Sequence, residues 1–259
     1  MGRALRKHLQ QCFAIYSKPL DKNGQLRGAR KGEKRKRVGR PKSGIRASEK
    51  HKTRPAIKAA EPIHVVVRAN PEVQPLRRQA LYRAIRRATQ VVARRADMRI
   101  VELSIQDTHI HLLVEAANRE ALAKGMQSFG VSAARNINAA LLRDAIARGQ
   151  RDFVTRRGSV IADRYHACVL KTPTQVRNCL AYVLNNWRHH QVTASRKWAI
   201  DPYSSGMTFH GWRELDGLLP ELPTWFQPLV VSSPQTWLLR VGWRRSSLIS
   251  FAMCPGRPT

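Results

Sequence analysis

From Arg27 to Lys58 the chain carries hardly an aliphatic side chain, and this break limits where a core can form. A stretch with nothing apolar to bury cannot offset the entropy of ordering itself. Residues 1–60 hold 19 of the 47 Lys and Arg, and 3 of the 17 Asp and Glu, of a 259-residue chain. They read as a largely disordered basic arm, which leaves folding to the residues that follow. The net charge of +30 repels itself and belongs beside a polyanion. Enzymes for neutral or cationic metabolites are thereby disfavoured, and nucleic acid becomes the expected partner. A hydrophobic content of 42% excludes a wholly disordered protein.

After Pro62 the texture changes. Ile63 to Arg68 is β-branched and reads as a strand ending at the Asn70-Pro71 turn. Pro75 opens a helix to about Ala96, with Leu76, Ala80, Ala84, Ile85, Ala88, Val91 and Val92 as its apolar stripe. Arginines cover much of the rest. Of these, Arg77, Arg83 and Arg87 are candidate phosphate contacts, a solvated face being the alternative. Two β-rich runs, Arg99 to Gln106 and His109 to Glu115, have hairpin spacing across Asp107-Thr108. Asn118 caps a helix through about Ile146 that carries Leu122, Met126, Phe129, Ala133, Ile137 and Leu141. Gly158 to Lys171 suggests a hairpin or bent strand. Thr172-Pro173 then starts a helix reaching about His190. The order β-α-β-β-α-β plus one helix is that of an α+β, ferredoxin-like domain. It spans 61–192, between the arm (1–60) and a C-terminal extension (193–259) of unassigned role.

Within the arm, Lys36-Arg37-Val38-Gly39-Arg40-Pro41-Lys42 resembles the AT-hook, with Val38 where the hook has another arginine. Gly39 permits close approach, Pro41 keeps the chain extended, and Arg40 suits the negative potential of a narrow minor groove. Arg37, Arg40 and Lys42 are the arm's candidate DNA contacts, a nonspecific polycationic tail being the alternative. Cys12, Cys168, Cys179 and Cys254 are too scattered for a CxxC zinc site or a disulfide framework. No apolar run is long enough to span a bilayer, and no signal-peptide pattern is present. The expected location is therefore cytoplasmic, with nucleoid association following from the charge.

In the second hairpin strand, His109-Ile110-His111 sends two imidazoles to one face, while Thr108, Ile110, Leu112 and Val114 take the other. Such a pair can bind one metal ion or remain ordinary hydrogen-bonded surface residues. On the last helix, Val176, Leu180, Val183, Leu184 and Trp187 supply the apolar side. Asn178, Tyr182, Asn186 and His189 fall opposite, with Asn186 one turn after Tyr182. His64 lies in a predicted core strand and reads as structural, with a catalytic role as the alternative. Asp163-Arg164-Tyr165-His166 reads as a structural corner, with a DNA contact as the alternative. Trp198, Trp212, Trp225, Trp237 and Trp243 read as packing in a small accessory unit, with base stacking as the alternative.

The element order, the HxH motif in HIHLLVEA and the helix motif LAYVLNN resemble the single-tyrosine HUH transposases, above all the REP-associated tyrosine transposase group. The resemblance covers roughly residues 61–192. It implies that His109, His111 and Asn186 bind Mg²⁺ or Mn²⁺ and that Tyr182 attacks a single-stranded DNA phosphate. The implied products are a 5′-phosphotyrosine and a free 3′-OH, which later strand transfer consumes. It also implies single-stranded or hairpin DNA as partner, and leaves open a homodimer sharing its tyrosine helices or a monomer acting alone. Three positions depart from common relatives: Asp107-Thr108 replaces Pro-Asn before the histidines, and Trp187 replaces proline after Asn186. The rival reading is a non-catalytic DNA-hairpin-binding protein derived from such a transposase.

Overall fold

The computed structural model describes residues 56–150, 159–189, 198–214 and 222–253; the arm, with Arg37, Arg40 and Lys42, lies outside the described residues. Strand β1 (Ile63–Arg68) begins and ends where its β-branched run does. Helix α1 (Gln79–Ala93) starts later than its proline suggests. The Leu76 amide donates to Asp107 O at 2.8 Å, which ties the lead-in to the hairpin turn before the helix can begin. Val91, expected in the apolar stripe, is exposed, and Leu81 is buried instead.

Strands β2 (Met98–Ile105) and β3 (His109–Ala116) form the predicted hairpin, closed by Gln106 N donating to His109 O at 2.9 Å. Helix α2 (Arg119–Ala147) is capped by Asn118, whose side chain accepts from Ala121 N at 2.9 Å. It lies close on the sheet at Gly125, where a Cβ would fall 2.0 Å from Met98 Sδ. The region expected as a hairpin or bent strand gives one short strand, β4 (His166–Val169), and an isolated bridge from Ile161 to Ala69. Helix α3 (Pro173–His189) opens with a reciprocal cap: Gln175 N donates to Thr172 Oγ1 while Gln175 Oε1 accepts from Thr172 N.

The sheet order is β2-β3-β1-β4 with every neighbouring pair antiparallel, the ferredoxin-like arrangement expected. Ile63, Val65, Val67, Ile110, Leu112 and Val114 point to one face and pack under α1 and α2. Alternation sends His64, His109, His111 and Leu113 to the other face, which α3 covers.

The extension completes this second layer. Ile200, Met207, Trp212, Leu238, Leu239, Trp243 and Ile249 share a core with the buried apolar residues of α3. Helix α3, expected to bury one side only, is therefore buried from Cys179 through Trp187. Trp212 and Trp243 pack as anticipated, Trp225 stacks edge-on against Tyr82, and Trp237 stays about half exposed.

Candidate active site

His111 is the hub of the site. Its Nδ1 lies 3.1 Å from His64 Nε2, and its Nε2 lies 2.9 Å from both His109 Nε2 and Asn186 Nδ2. The Tyr182 ring stands edge-on to His111 with centroids 5.1 Å apart, and edge-on to His64 at 6.0 Å. The strand pair supplies the imidazoles, and one turn of α3 brings Tyr182 and Asn186 down onto them. All four residues expected to form the site thus meet.

Burial grades across the cluster. His111, Tyr182 and Asn186 are buried, while His109, at the start of β3, is half-buried. Arg68 is the cross-strand partner of His109 and belongs to the same face of β1. Burial, reinforced by the His166 and His109 imidazoles, lowers the pKa of His64 from 6.5 to about 4. His64 is therefore a neutral donor–acceptor at pH 7.

His64, His166 and Arg68 are the members that sequence reasoning missed. Their signal was available in part: Ile63, Val65 and Val67 form the apolar series of β1, so His64 belongs to the other face rather than to the apolar core. His166 reaches the same neighbourhood only because β4 pairs with β1, opposite Val66.

The expected arginines do not join the cluster. Arg77 needs a correction: its guanidinium is buried and makes a bidentate pair with Asp201, both bonds 2.8 Å, and also donates to Ile105 O. Turned inward, it pins the extension to the edge of β2 instead of meeting phosphate. Arg83 and Arg87 are exposed on α1, across the sheet from Tyr182. Tyr165 packs with the apolar core.

The donor set suits a divalent ion. An octahedral ion with ligands at about 2.0–2.1 Å places neighbouring donors about 3 Å apart, which the two Nε2 atoms match. Asn186 Oδ1 is buried with no hydrogen-bond partner among the described residues. A rotation of the amide exchanges it with Nδ2 and turns that oxygen toward His111 Nε2. No cluster of three or more His, Cys, Asp or Glu that could hold a metal occurs among the described residues. None of the described helices is long and apolar enough to cross a membrane.

Residues 60–186 match the family described as "Transposase IS200 like". This part of the chain is similar to IS200-like transposases, and the resemblance read from HIHLLVEA and LAYVLNN holds there. Among solved structures, the chain is similar to a REP-associated tyrosine transposase bound to a REP hairpin, at 16% identity and a TM-score of 0.45. That match covers 73% of this chain and 100% of the other. A putative transposase from Deinococcus radiodurans matches at 13% identity and a TM-score of 0.32, covering 51% and 92% respectively. No curated protein matches.

Proposed function

We propose that the protein cleaves and rejoins single-stranded DNA through a covalent tyrosyl–DNA intermediate, with Tyr182 as nucleophile. The supporting observation is the packing of Tyr182 and Asn186 against His111 and its neighbour His109 in a half-open site. His109 Nε2, His111 Nε2 and Asn186 Oδ1 would hold Mg²⁺ or Mn²⁺. Bound there, the ion supplies Lewis-acid polarisation of the scissile phosphate.

The rest of the chemistry belongs to the chain. The phenolic oxygen of Tyr182 bonds to phosphorus as the bond from phosphorus to O3′ breaks, and O3′ leaves as a hydroxyl after gaining a proton. A phenol with an ordinary pKa near ~10 must lose its proton to attack well at neutral pH. The phosphotyrosine keeps the phosphodiester energy, so a second 3′-OH can reverse the step and join strands. Close packing of α3 on the sheet keeps the nucleophile and the ligands in register. Hairpin-bearing strands are the substrate class implied by the resemblance. Arg37, Arg40 and Lys42 are assigned an electrostatic anchoring role on flanking DNA. Arg83 and Arg87 receive no part in the reaction.

The test is a covalent adduct. Hairpin-bearing single strands with Mn²⁺ should yield a protein–DNA species that survives denaturation. Tyr182→Phe should abolish it while binding persists, and Tyr165→Phe should leave it intact. An adduct from Tyr182→Phe but not from Tyr165→Phe would refute the nucleophile. Binding with no adduct from the natural chain would favour the non-catalytic hairpin binder.

A further inference from the structure

We infer that His64 and Thr108 are positioning residues that set the tautomers of the two ligating imidazoles, an inference that rests on the metal-site reading above and deepens it. A ring nitrogen can ligate a metal only with its lone pair free, so the proton must sit on the other nitrogen. What that second nitrogen faces therefore decides whether the ligand is ready.

Ligation through His111 Nε2, the atom that faces His109 and the Asn186 amide, requires a bare lone pair there. The proton of the neutral ligating ring is then on Nδ1. The atom facing Nδ1 is His64 Nε2 at 3.1 Å, which accepts that proton's hydrogen bond. His64 in turn carries its own proton on Nδ1. Both rings are buried and stack at 5.2 Å, so neither turns freely to another arrangement. His111 is consequently held in its ligating tautomer by an imidazole, where a carboxylate or a carbonyl often serves.

His109 is held differently. Its Nε2 lies 2.9 Å from His111 Nε2, and its Nδ1 lies 2.9 Å from the Thr108 hydroxyl. Ligation through Nε2 requires the proton on Nδ1. A hydroxyl serves both states, because it donates to a bare Nδ1 and accepts from a protonated one. His64 thus faces the second nitrogen of one ligating imidazole, and Thr108 that of the other.

The experiment measures Mn²⁺ affinity of the full-length protein by the electron paramagnetic resonance signal of the free ion, with thermal melting as a check on folding. His64→Leu should weaken binding by about 10- to 100-fold, the usual cost of losing an outer-shell partner. His64→Gln should recover most of that loss, since its amide oxygen can accept from His111 Nδ1. Thr108→Val should weaken binding less, and Thr108→Ser should restore it. Natural affinity in His64→Leu, or equal loss in the Leu and Gln variants, would overturn the role of His64. Natural affinity in Thr108→Val would overturn that of Thr108. If the natural chain shows no Mn²⁺ binding that His111→Ala abolishes, the metal-site reading itself fails, and this inference fails with it.

Discussion

The two faces of one sheet are built on opposite principles. Under α1 and α2, the strands contribute an aliphatic series, and the helices answer with Leu81, Ile85, Val92, Leu122 and Phe129. Facing α3, the same strands contribute His64, Glu102, Ser104, His111 and Glu115, all buried. Burying polar groups costs free energy unless each is partnered, so the second face needs a fitted cover rather than any apolar one. Glu115 accepts from the amides of Gln235 and Thr236, and Glu102 takes the Ser205 hydroxyl at 2.5 Å. The extension is thus tied on by hydrogen bonds at chosen points. On β3 the division runs along a single strand, with His109 and His111 at one end and the anchoring Glu115 at the other. One face supplies apolar burial, and the other holds the candidate site.

The largest break should come from the apolar face. Phe129→Ala removes a fully buried ring and should cost about 3–5 kcal/mol in denaturant unfolding. Under conditions where it remains folded, its Mn²⁺ affinity should match the natural chain. Tyr182→Phe should do the reverse, abolishing the adduct at little cost in stability.

Arg77→Ala leaves Asp201 buried without its cation, and should cost about as much, near 3–5 kcal/mol. If Arg77 were a phosphate contact instead, the substitution would reduce the salt dependence of DNA binding and leave unfolding unchanged.

A pH effect of intermediate size separates the faces further. Burial raises the pKa of Glu102 from 4.5 to about 8, partly offset by the Ser205 hydrogen bond. Between those values the folded state holds a proton that the unfolded state has lost. Stability from this group is therefore fully present below about 4.5 and is lost as pH rises through about 8. Glu102→Gln keeps a neutral side chain, so its unfolding free energy should fall less steeply than that of the natural chain between pH 5 and 8.

The smallest effect belongs to Arg83→Ala with Arg87→Ala. Both are exposed and lie across the sheet from Tyr182, so unfolding should shift within about 0.5 kcal/mol per site. Adduct formation on a short single strand should be unchanged. A large loss of adduct would place the DNA path on the α1 side.

Much of this arrangement was legible before any coordinates. Alternation in Ile63–Arg68 and His109–Ala116, the Asn118 cap and the Thr172-Pro173 start all rest on neighbours a few residues apart, and each element formed where those signals lie. The site was legible for the same reason. His109 and His111 share a face by period two, and Tyr182 and Asn186 share one by helical spacing. The errors have a common cause as well. Arg77 looked like one more surface cation until Asp201, 124 residues later, came to meet it. His64 looked like a core residue until the pairing of β1 with β3 set it against His111.

By itself, then, the sequence determined the order of elements, the faces of β1 and β3, and the four candidate residues that meet around His111. Periodicity and capping are short-range, and the chain carries them wherever it goes. Only the tertiary structure decided that α3 would be buried on both sides, that His64 would complete the hydrogen bonding of His111, and that Arg77 would turn inward. Those outcomes depend on which distant segment covers which face. That choice is made by packing and hydrogen-bond satisfaction across the whole fold, which no local pattern encodes.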